Sequence, residues 1–220
     1  MEKHFMKSYL NLVVKTCRSR GAPATGGMAA AVFSSGLSDE EVRSKTADVV
    51  ESKRSEILAG VSGFLIYDFN LIQPIRTLWK STFVSPTLHK EKEHLNISSV
   101  DLLSLPAGGV TMEGLKLNIA VGVLFINGWL GGRGTFVYKG GVEDSATAEI
   151  SRMQVWQWLR HEVHIENSIL PVTRSLVLGL LEEDTSLGSC EVAKKIFLDV
   201  VLAGKPPEFI TTYLNDIYCR

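Results

Sequence analysis

The residues best placed for chemistry lie around Asp144, an aspartate that directly precedes a helical pattern beginning at Ser145. A carboxylate in this position is typical of a helix N-cap, because it accepts hydrogen bonds from the free N–H groups of the first turn. Glu149 and Arg152 follow with a spacing of three residues, which suits an ion pair on one helix. From residue types and spacing alone, we interpret Asp144 as a cap and the other two as a structural ion pair or helix-surface residues.

Other reactive side chains do not form a recognisable site in the sequence. His161 and His164 lie three residues apart in what we predict to be one helix, but no third ligand is nearby, which argues against zinc. Cys17, Cys190 and Cys219 are odd in number and far apart. This pattern favours free thiols in a reducing compartment.

The composition excludes several classes of protein. Hydrophobic residues make up 45% and charged residues 21%, which is ordinary for a globular protein. The 23 basic and 24 acidic residues give a net charge of -1, so we predict no nucleic-acid binding. No apolar run approaches the ~20 residues that span a bilayer, and the N-terminal segment resembles part of a helix more than a signal peptide. We therefore predict no membrane-spanning segment and no signal peptide.

Two helices are expected in the first half of the chain. Apolar residues recur at helical spacing over residues 4–20, and Gly21 suits a left-handed stop. Ser38 is followed three residues later by Glu41, which predicts a capping box and a charged helix that ends near Gly60.

Two short apolar segments of the first half predict buried strands. Residues 22–32 are small, apolar and glycine-rich, and residues 64–72 form a second apolar run. The helix–strand–helix–strand order predicts that the two strands are parallel neighbours, each buried on both faces. Because two strands cannot bury both faces of a sheet, we expect them to belong to a larger sheet or barrel and to expose apolar surface.

The second half changes character and is expected to be mainly helical. The polar run HKEKEH at residues 89–94 lies in a loop-like region, and we interpret it as a solvated face. An apolar stripe begins at Leu115, and a glycine-rich stretch at residues 131–141 follows it. Further helices are predicted over residues 145–164, 171–181, 189–203 and 206–218. Pro171 and Pro206 would occupy first-turn positions.

Three segments together carry a resemblance to a known family. Residues 141–161, GVEDSATAEISRMQVWQWLRH, resemble the malate synthase motif Met-Glu-Asp-Ala-Ala-Thr-Ala-Glu-Ile-Ser-Arg, which is followed by Gln, a hydrophobic residue and Trp-Gln-Trp. The preceding TMEGLKLNIAVGVLFINGWLGGRG resembles the family's helix with Leu-x-x-Asn-Ile and Trp-Leu. Near the start, SYLNLVVKTCRSRGAPATGGMAAAV resembles its helix and strand with Gly-Gly-Met-Ala-Ala. The resemblance to malate synthases covers nearly the whole chain.

The resemblance implies an α/β fold that is mainly helical overall. It consists of the last βα units of a (β/α)8, or TIM, barrel followed by a C-terminal all-helical plug domain. On this basis we assign residues 1–110 to the remnant of the barrel, residues 111–142 to a helix and glycine-rich connection, and residues 143–220 to the plug.

The resemblance also implies a reaction, the condensation of acetyl-CoA with glyoxylate and water to malate and CoA in the glyoxylate cycle. The family's catalytic base, the aspartate of its Glu-Asp pair, falls on Asp144. A carboxylate suits this role, because the weakly acidic acetyl methyl group needs a base in line with its proton and a stabilised enolate oxygen. Gly26, Gly27, Asp68 and Phe69 would lie in the neighbourhood of the acyl-CoA pocket.

The chain also departs from the family's pattern. The earlier barrel strands carry an arginine that stabilises the enolate and a glutamate and aspartate that hold Mg²⁺, and these strands have no counterpart here. The family's Thr-Trp-Val-Ala-His-Pro-Gly run is replaced by FLIYDFN at residues 64–70. Val142 replaces a methionine and Thr135 a cysteine. We therefore expect Mg²⁺ to be the family's cofactor without ligands in this chain, and the chain to be incomplete and inactive alone.

These departures leave alternatives open. The chain is a fragment of a working malate synthase, with acetyl-CoA and glyoxylate as substrates, or a diverged paralogue. The alternative to an enzyme is a non-catalytic helical interaction module derived from a malate synthase, and a third hypothesis is a CoA-binding protein without turnover. The family implies a peroxisomal, glyoxysomal or cytoplasmic location. The final Tyr-Cys-Arg is not a peroxisomal tripeptide of the Ser-Lys-Leu type.

Overall fold

The computed structural model describes residues 3–82 and 95–218, and the chain divides into two compact units, residues 1–107 and 108–220. The fold is α/β and mainly helical, as predicted. The polar run at residues 89–94 lies outside the described residues, so its interpretation as a solvated face stays a prediction.

The two predicted helices of the first unit are confirmed, and two further described helices that the sequence analysis does not predict follow them. In chain order, the described helices of this unit are α1 (His4–Ser19), α2 (Asp39–Ala59), α3 (Ile72–Ser81) and the short α4 (Ser99–Leu102). Ser38 and Glu41 form the predicted capping box at the start of α2. Gly21 and Gly60 have φ angles of 66° and 100°, so both glycines stop their helices in the left-handed region.

The two predicted strands are paired in parallel, which confirms the prediction that they are parallel neighbours. Strands β1 (Thr25–Ala29) and β2 (Gly63–Ile66) are joined by α2, with Gly26 opposite Phe64. The second strand is shorter than expected, because the Asp68 carboxylate accepts from the N–H of Asn70 and begins a 3-10 turn over Phe69–Leu71.

Burial of this strand on both faces was a wrong expectation. Phe64 and Ile66 pack against the helices, whereas Leu65 between them is 68% exposed. One face of the sheet therefore lies on α2 and α3, and the other is open in the described structure. The buried core beneath the sheet consists of Ala29, Ile57, Leu71, Ile75 and Leu78.

The second unit is a helical domain with one continuous core. Its helices are α5 (Met112–Leu130), α6 (Ser145–Arg160), α7 (Arg174–Glu183), α8 (Glu191–Val201) and α9 (Ile210–Tyr218). The predicted stripe on α5 is confirmed, since Leu115, Ile119, Val123 and Ile126 are all buried. The glycine-rich stretch after α5 forms an antiparallel hairpin of β3 (Phe136–Tyr138) and β4 (Gly141–Glu143), which the sequence analysis does not predict. None of the described helices is long and apolar enough to cross a bilayer.

Both first-turn prolines were wrongly placed. Pro171 lies in a β-bridge with His164, and α7 begins after Thr173, whose side chain accepts from the N–H of Leu176. Pro206 lies four residues before the start of α9 at Ile210. In both places, the chain makes long-range contacts before it enters the helix, and local spacing does not reveal such contacts.

Candidate active site

Asp144 is positioned by the hairpin that precedes it. The two-residue turn is formed by Lys139 and Gly140, whose φ angles of 45° and 75° match the turn type that connects twisted antiparallel strands. Val142 on β4 is 4% exposed and anchors the second strand in the core. The chain therefore enters α6 from a fixed direction, and Asp144 is the first residue after the hairpin.

The Asp144 carboxylate caps α6, as the residue types alone predict. Its Oδ1 atom accepts from the N–H groups of Ala146 and Thr147, at 2.9 and 3.3 Å. The Thr147 hydroxyl accepts in turn from the Asp144 N–H at 3.0 Å, which completes a reciprocal capping box. Among the described residues, no hydrogen bond reaches Oδ2, so this oxygen is available to take a proton.

Glu149 and Arg152 hold the middle of α6 to the chain that enters α9. The Arg152 Nε atom donates to Glu149 Oε2 at 2.9 Å, and its Nη2 atom donates to the carbonyl of Pro207 at 2.9 Å. The other Glu149 oxygen accepts from the N–H of Ile210. Arg152 is only 3% exposed. These contacts confirm the interpretation of the two residues as a structural ion pair.

The two histidines do not share a helix, so that expectation was wrong. Helix α6 ends at Arg160, and His161 is its C-cap residue. His164 lies beyond the turn and pairs with Pro171. The chain reverses direction between His164 and Pro171, before α7 begins.

Asp68 ties together the two loops that follow the strands. Its Oδ2 atom accepts from the N–H of Phe33 at 2.7 Å, and its Oδ1 atom accepts from the N–H of Asn70 at 2.9 Å. Burial raises the pKa of Asp68, but these hydrogen bonds and the charge of Lys45 together lower it below its usual value. The adjacent Phe69 is 86% exposed. Asp68 therefore fixes the backbone on either side of Phe69 at the carboxyl end of the sheet, the end where barrel enzymes place their chemistry.

Gly26 and Gly27 lie near the amino end of β1, and the two glycines face different surroundings. A Cβ atom on Gly26 would lie 1.9 Å from Glu56 Oε2, whereas one on Gly27 would meet nothing within 4 Å. Alanine at position 26 would therefore require the buried Glu56 side chain to move.

A buried ion pair lies beside these glycines, and the sequence analysis does not predict it. Lys53 and Glu56 are 4% and 3% exposed, and the Lys53 ammonium donates to Glu56 Oε1 at 2.8 Å and to the carbonyl of Gly27 at 2.6 Å. Glu56 Oε2 is the one buried side-chain atom in the described part of the chain that lacks a hydrogen-bond partner. The charges of α2 look solvated in sequence, and only the nearby Ile57 and Ala59 hint that this end of the helix is buried.

Comparisons with known proteins match both units. Residues 1–105 match a family model described as "Malate synthase, TIM barrel domain", and residues 109–216 match one described as "Malate synthase, C-terminal". The chain belongs to the malate synthase family.

Curated malate synthases of plants and bacteria are similar along most of the chain. The glyoxysomal malate synthase of Glycine max is 35% identical over 205 residues, which cover 90% of this chain and 36% of the relative. The malate synthase of Myxococcus xanthus strain DK1622 is 33% identical over 229 residues, or 98% of this chain and 42% of the relative. The chain thus spans about two fifths of the length of these malate synthases.

The malate synthase resemblance implies Mg²⁺, but the described residues do not fit a metal site. Nowhere in residues 3–82 and 95–218 do three side chains of the types His, Cys, Asp and Glu come together around one position. Both oxygens of Asp68 are taken by hydrogen bonds, and one oxygen of Asp144 caps α6.

Proposed function

We propose that this chain supplies the catalytic base of a malate synthase, the enzyme that condenses acetyl-CoA with glyoxylate and water to give malate and CoA. The observation that carries the proposal is the placement of Asp144 within the matched family segment, at the start of α6, where one carboxylate oxygen is held by capping bonds and the other accepts no hydrogen bond from the described residues. In this reaction, Asp144 takes a proton from the acetyl methyl group. The carbon that loses the proton then attacks the aldehyde carbon of glyoxylate, and water cleaves the thioester.

The geometry suits a base that must keep its position. The capping bonds from Ala146 and Thr147 hold one oxygen, so the other keeps a fixed direction without further contacts. A general base acts only when its free oxygen lies within hydrogen-bond reach of the proton that it removes. The capping role and the catalytic role are therefore compatible in one carboxylate.

The proposed architecture is the end of a (β/α)8 barrel followed by a helical plug. Support comes from the parallel β1–α2–β2 unit, which is the repeating element of such barrels, and from the helical core of residues 108–220. The acyl-CoA neighbourhood would include Gly26, Gly27, Asp68 and Phe69. The aromatic side chain of this set, Phe69, is 86% exposed. The three-part division at residues 110 and 142 stays a prediction.

The resemblance implies that the groups that stabilise the enolate oxygen lie on earlier barrel strands, which have no counterpart in this chain. Loss of one such donor typically costs about 10²–10³ in rate. We therefore expect the purified chain to release no CoA from acetyl-CoA and glyoxylate, with or without Mg²⁺.

A chimeric enzyme tests the base directly. The matched 205 residues of the Glycine max malate synthase are replaced by the corresponding residues of this chain, and CoA release is measured with Mg²⁺, acetyl-CoA and glyoxylate. We expect Asp144→Asn to lower kcat by about 10²–10⁴, the usual contribution of a general base. The KM for acetyl-CoA should change little, because asparagine keeps the helix cap.

Glu143→Gln is the matched control, since Glu143 is the neighbouring carboxylate on β4. It should leave kcat within about threefold, because a side chain without a base role contributes little to the chemical step. An active chimera that keeps its rate after Asp144→Asn would show that Asp144 is only a cap.

The alternative function is a non-catalytic helical interaction module. It is favoured by one observation, the self-contained core of residues 108–220, which includes buried residues from all five helices of that unit. A chimera that folds with native circular dichroism but lacks turnover would support this alternative.

A peroxisomal, glyoxysomal or cytoplasmic location is proposed on the basis of the relatives, several of which are named glyoxysomal malate synthases. Microscopy of a fluorescent fusion in plant cells would test it.

A further inference from the structure

A cavity lies where three helices of the second unit meet, at the carboxyl ends of α6 and α8 and the amino end of α7. Its volume is about 340 Å³, which is large enough for a small organic molecule. The apolar part of the lining consists of Trp156, Leu159, Val172, Val201 and Leu202. Asp144 caps the opposite end of α6, so the proposed base does not account for this cavity.

Three charged side chains line the same cavity, namely Arg160, Glu162 and Arg174. In the described parts of the chain, no ion pair or side-chain hydrogen bond joins any of the three to a protein group. The Arg160 guanidinium lies over the Trp156 ring, 5.4 Å from its centroid. The Trp156 indole N–H donates to the carbonyl of Ala203 at 2.8 Å, which fixes that ring in the cavity wall.

Two of these charges lie at helix ends that disfavour them. Arg174 is the first residue of α7, where the helix dipole disfavours a cation. Glu162 follows the carboxyl end of α6, where the dipole disfavours an anion. Glu162 also has a φ angle of 44°, in the left-handed region where glycine is the usual residue after a helix. A carboxylate thus lines the cavity at a conformational and electrostatic cost, and such costs are typical of functional positions.

The two signs of charge decide between classes of ligand. A simple organic anion would pair with Arg174 but would be repelled by Glu162, and a simple amine would meet the reverse. A zwitterion can pair with both. Its negative group would also suit the amino end of α7, and its positive group the carboxyl end of α6. The apolar lining adds that the rest of the ligand is apolar.

We propose that this cavity binds a free amino acid with an apolar side chain. The ligand's carboxylate pairs with the Arg174 guanidinium, whose fork of N–H donors suits two carboxylate oxygens. Its ammonium group pairs with Glu162, and its side chain lies against Val172 and Leu202. The inference does not rest on the proposed function, because none of these residues takes part in the proton transfer at Asp144.

The test uses the purified chain and L-phenylalanine as the probe, followed by NMR of the tryptophan indole N–H groups. We expect the Trp156 signal, identified by its loss in Trp156→Phe, to shift with a Kd on the order of 1 mM, as is usual for a ligand of about a dozen non-hydrogen atoms. The signal of Trp79, which lies in the other unit, should not move. The probes 3-phenylpropionate and 2-phenylethylamine each lack one charged group, and each should bind at least about threefold more weakly.

Two variants locate the charges. Arg174→Gln and Glu162→Gln should each weaken L-phenylalanine binding at least about threefold. Glu162→Gln should also remove the preference for L-phenylalanine over 3-phenylpropionate. Arg133→Gln is the matched control, because Arg133 is an exposed arginine of the same unit that does not line the cavity, and the Kd should be unchanged.

Three results overturn the proposal. The first is a Trp156 signal that stays in place up to the solubility limit of L-phenylalanine. The second is a probe with a single charge that binds as tightly as L-phenylalanine, which would assign the cavity to a simple anion or amine. The third is binding that neither Arg174→Gln nor Glu162→Gln weakens.

Discussion

The two compact units bury very different amounts of apolar surface. Among the described residues, those of 108–220 (the helical unit) share one core of 22 buried residues, whereas those of 1–107 (the sheet unit) form separate clusters of five and three. A helix buries one stripe and can complete its core with a few neighbours, but a parallel sheet needs cover on two faces. In the described structure, the helical unit buries its apolar stripes in one core, while the sheet unit leaves Leu65 on the open face of β2 68% exposed.

The buried charges of the two units show the same difference. In the helical unit, one Glu149 oxygen accepts a hydrogen bond from Arg152 and the other accepts one from the Ile210 N–H. In the sheet unit, one Glu56 oxygen accepts a hydrogen bond from Lys53, and no donor among the described residues reaches the other oxygen. A buried carboxylate oxygen without a donor costs free energy. The less complete core thus also holds the less complete polar network.

The largest loss of stability is expected from Phe197→Ala in the helical unit. The Phe197 ring is fully buried and lies against Gly122, which has no side chain to fill the space left behind. Removal of a large buried ring costs about 3–5 kcal/mol. Urea denaturation followed by circular dichroism measures the loss. Phe209→Ala is the control, since Phe209 is 46% exposed and the lost burial should cost about 1 kcal/mol or less. Equal losses would contradict the view of this core as self-contained.

Lys53→Met tests the buried pair of the sheet unit. Removal of one partner leaves Glu56 charged and buried, which costs about 3–5 kcal/mol. Adding Glu56→Leu should restore much of the loss, because an apolar pair of similar volume needs no donors. The control is Lys194→Met, which breaks a pair of the same spacing whose Glu191 side chain is 77% exposed, and it should cost under about 0.5 kcal/mol. If the double variant is no more stable than Lys53→Met, the burial of the charge is not the cause.

Gly26→Ala is expected to have an intermediate effect. The new methyl group would overlap Glu56 Oε2, and overpacking of this kind costs about 1–3 kcal/mol. Gly27→Ala, one residue further along the same strand, meets nothing within 4 Å and should change stability by less than about 0.5 kcal/mol. A Gly26→Ala loss that persists in a Glu56→Ala background would assign the effect to the backbone instead of the contact.

Several predictions that rest on local chemistry at helix ends are confirmed by the structure. The Ser38 capping box and the stops at Gly21 and Gly60 depend on neighbours a few residues away, so the sequence contains all the necessary information. The cap at Asp144 is local in the same way. Its proposed role as a base does not follow from those contacts and rests on the family motif.

The features that were missed depend on distant residues or on unusual turns. Lys139 takes a left-handed conformation that lysine rarely adopts, so the hairpin before Asp144 has no standard turn signal. Pro171 pairs with His164 and the carbonyl of Pro207 accepts from Arg152, and neither contact can be read from spacing along the chain. Lys53 and Glu56 lie in a helix of mixed charge, where burial is decided by the sheet that packs on it.

The smallest expected effect is a pH dependence in the sheet unit. The Asp101 carboxylate accepts from the N–H and hydroxyl of Ser98 and pairs with His4 at 3.0 Å, and the bond from the Ser98 N–H is the largest cause of its pKa falling to about 2. The folded-state pKa is below the ordinary value of 3.8, so the stabilisation is present above that value and is lost as the pH falls through about 2. Asp101→Asn should therefore lower the urea midpoint at pH 5 and have little effect at pH 2. The difference should shrink in high salt, because the His4–Asp101 pair is exposed. A difference at pH 2 as large as that at pH 5 would mean that the aspartate contributes through packing or geometry, and that α4 is held to α1 by contacts other than this charge.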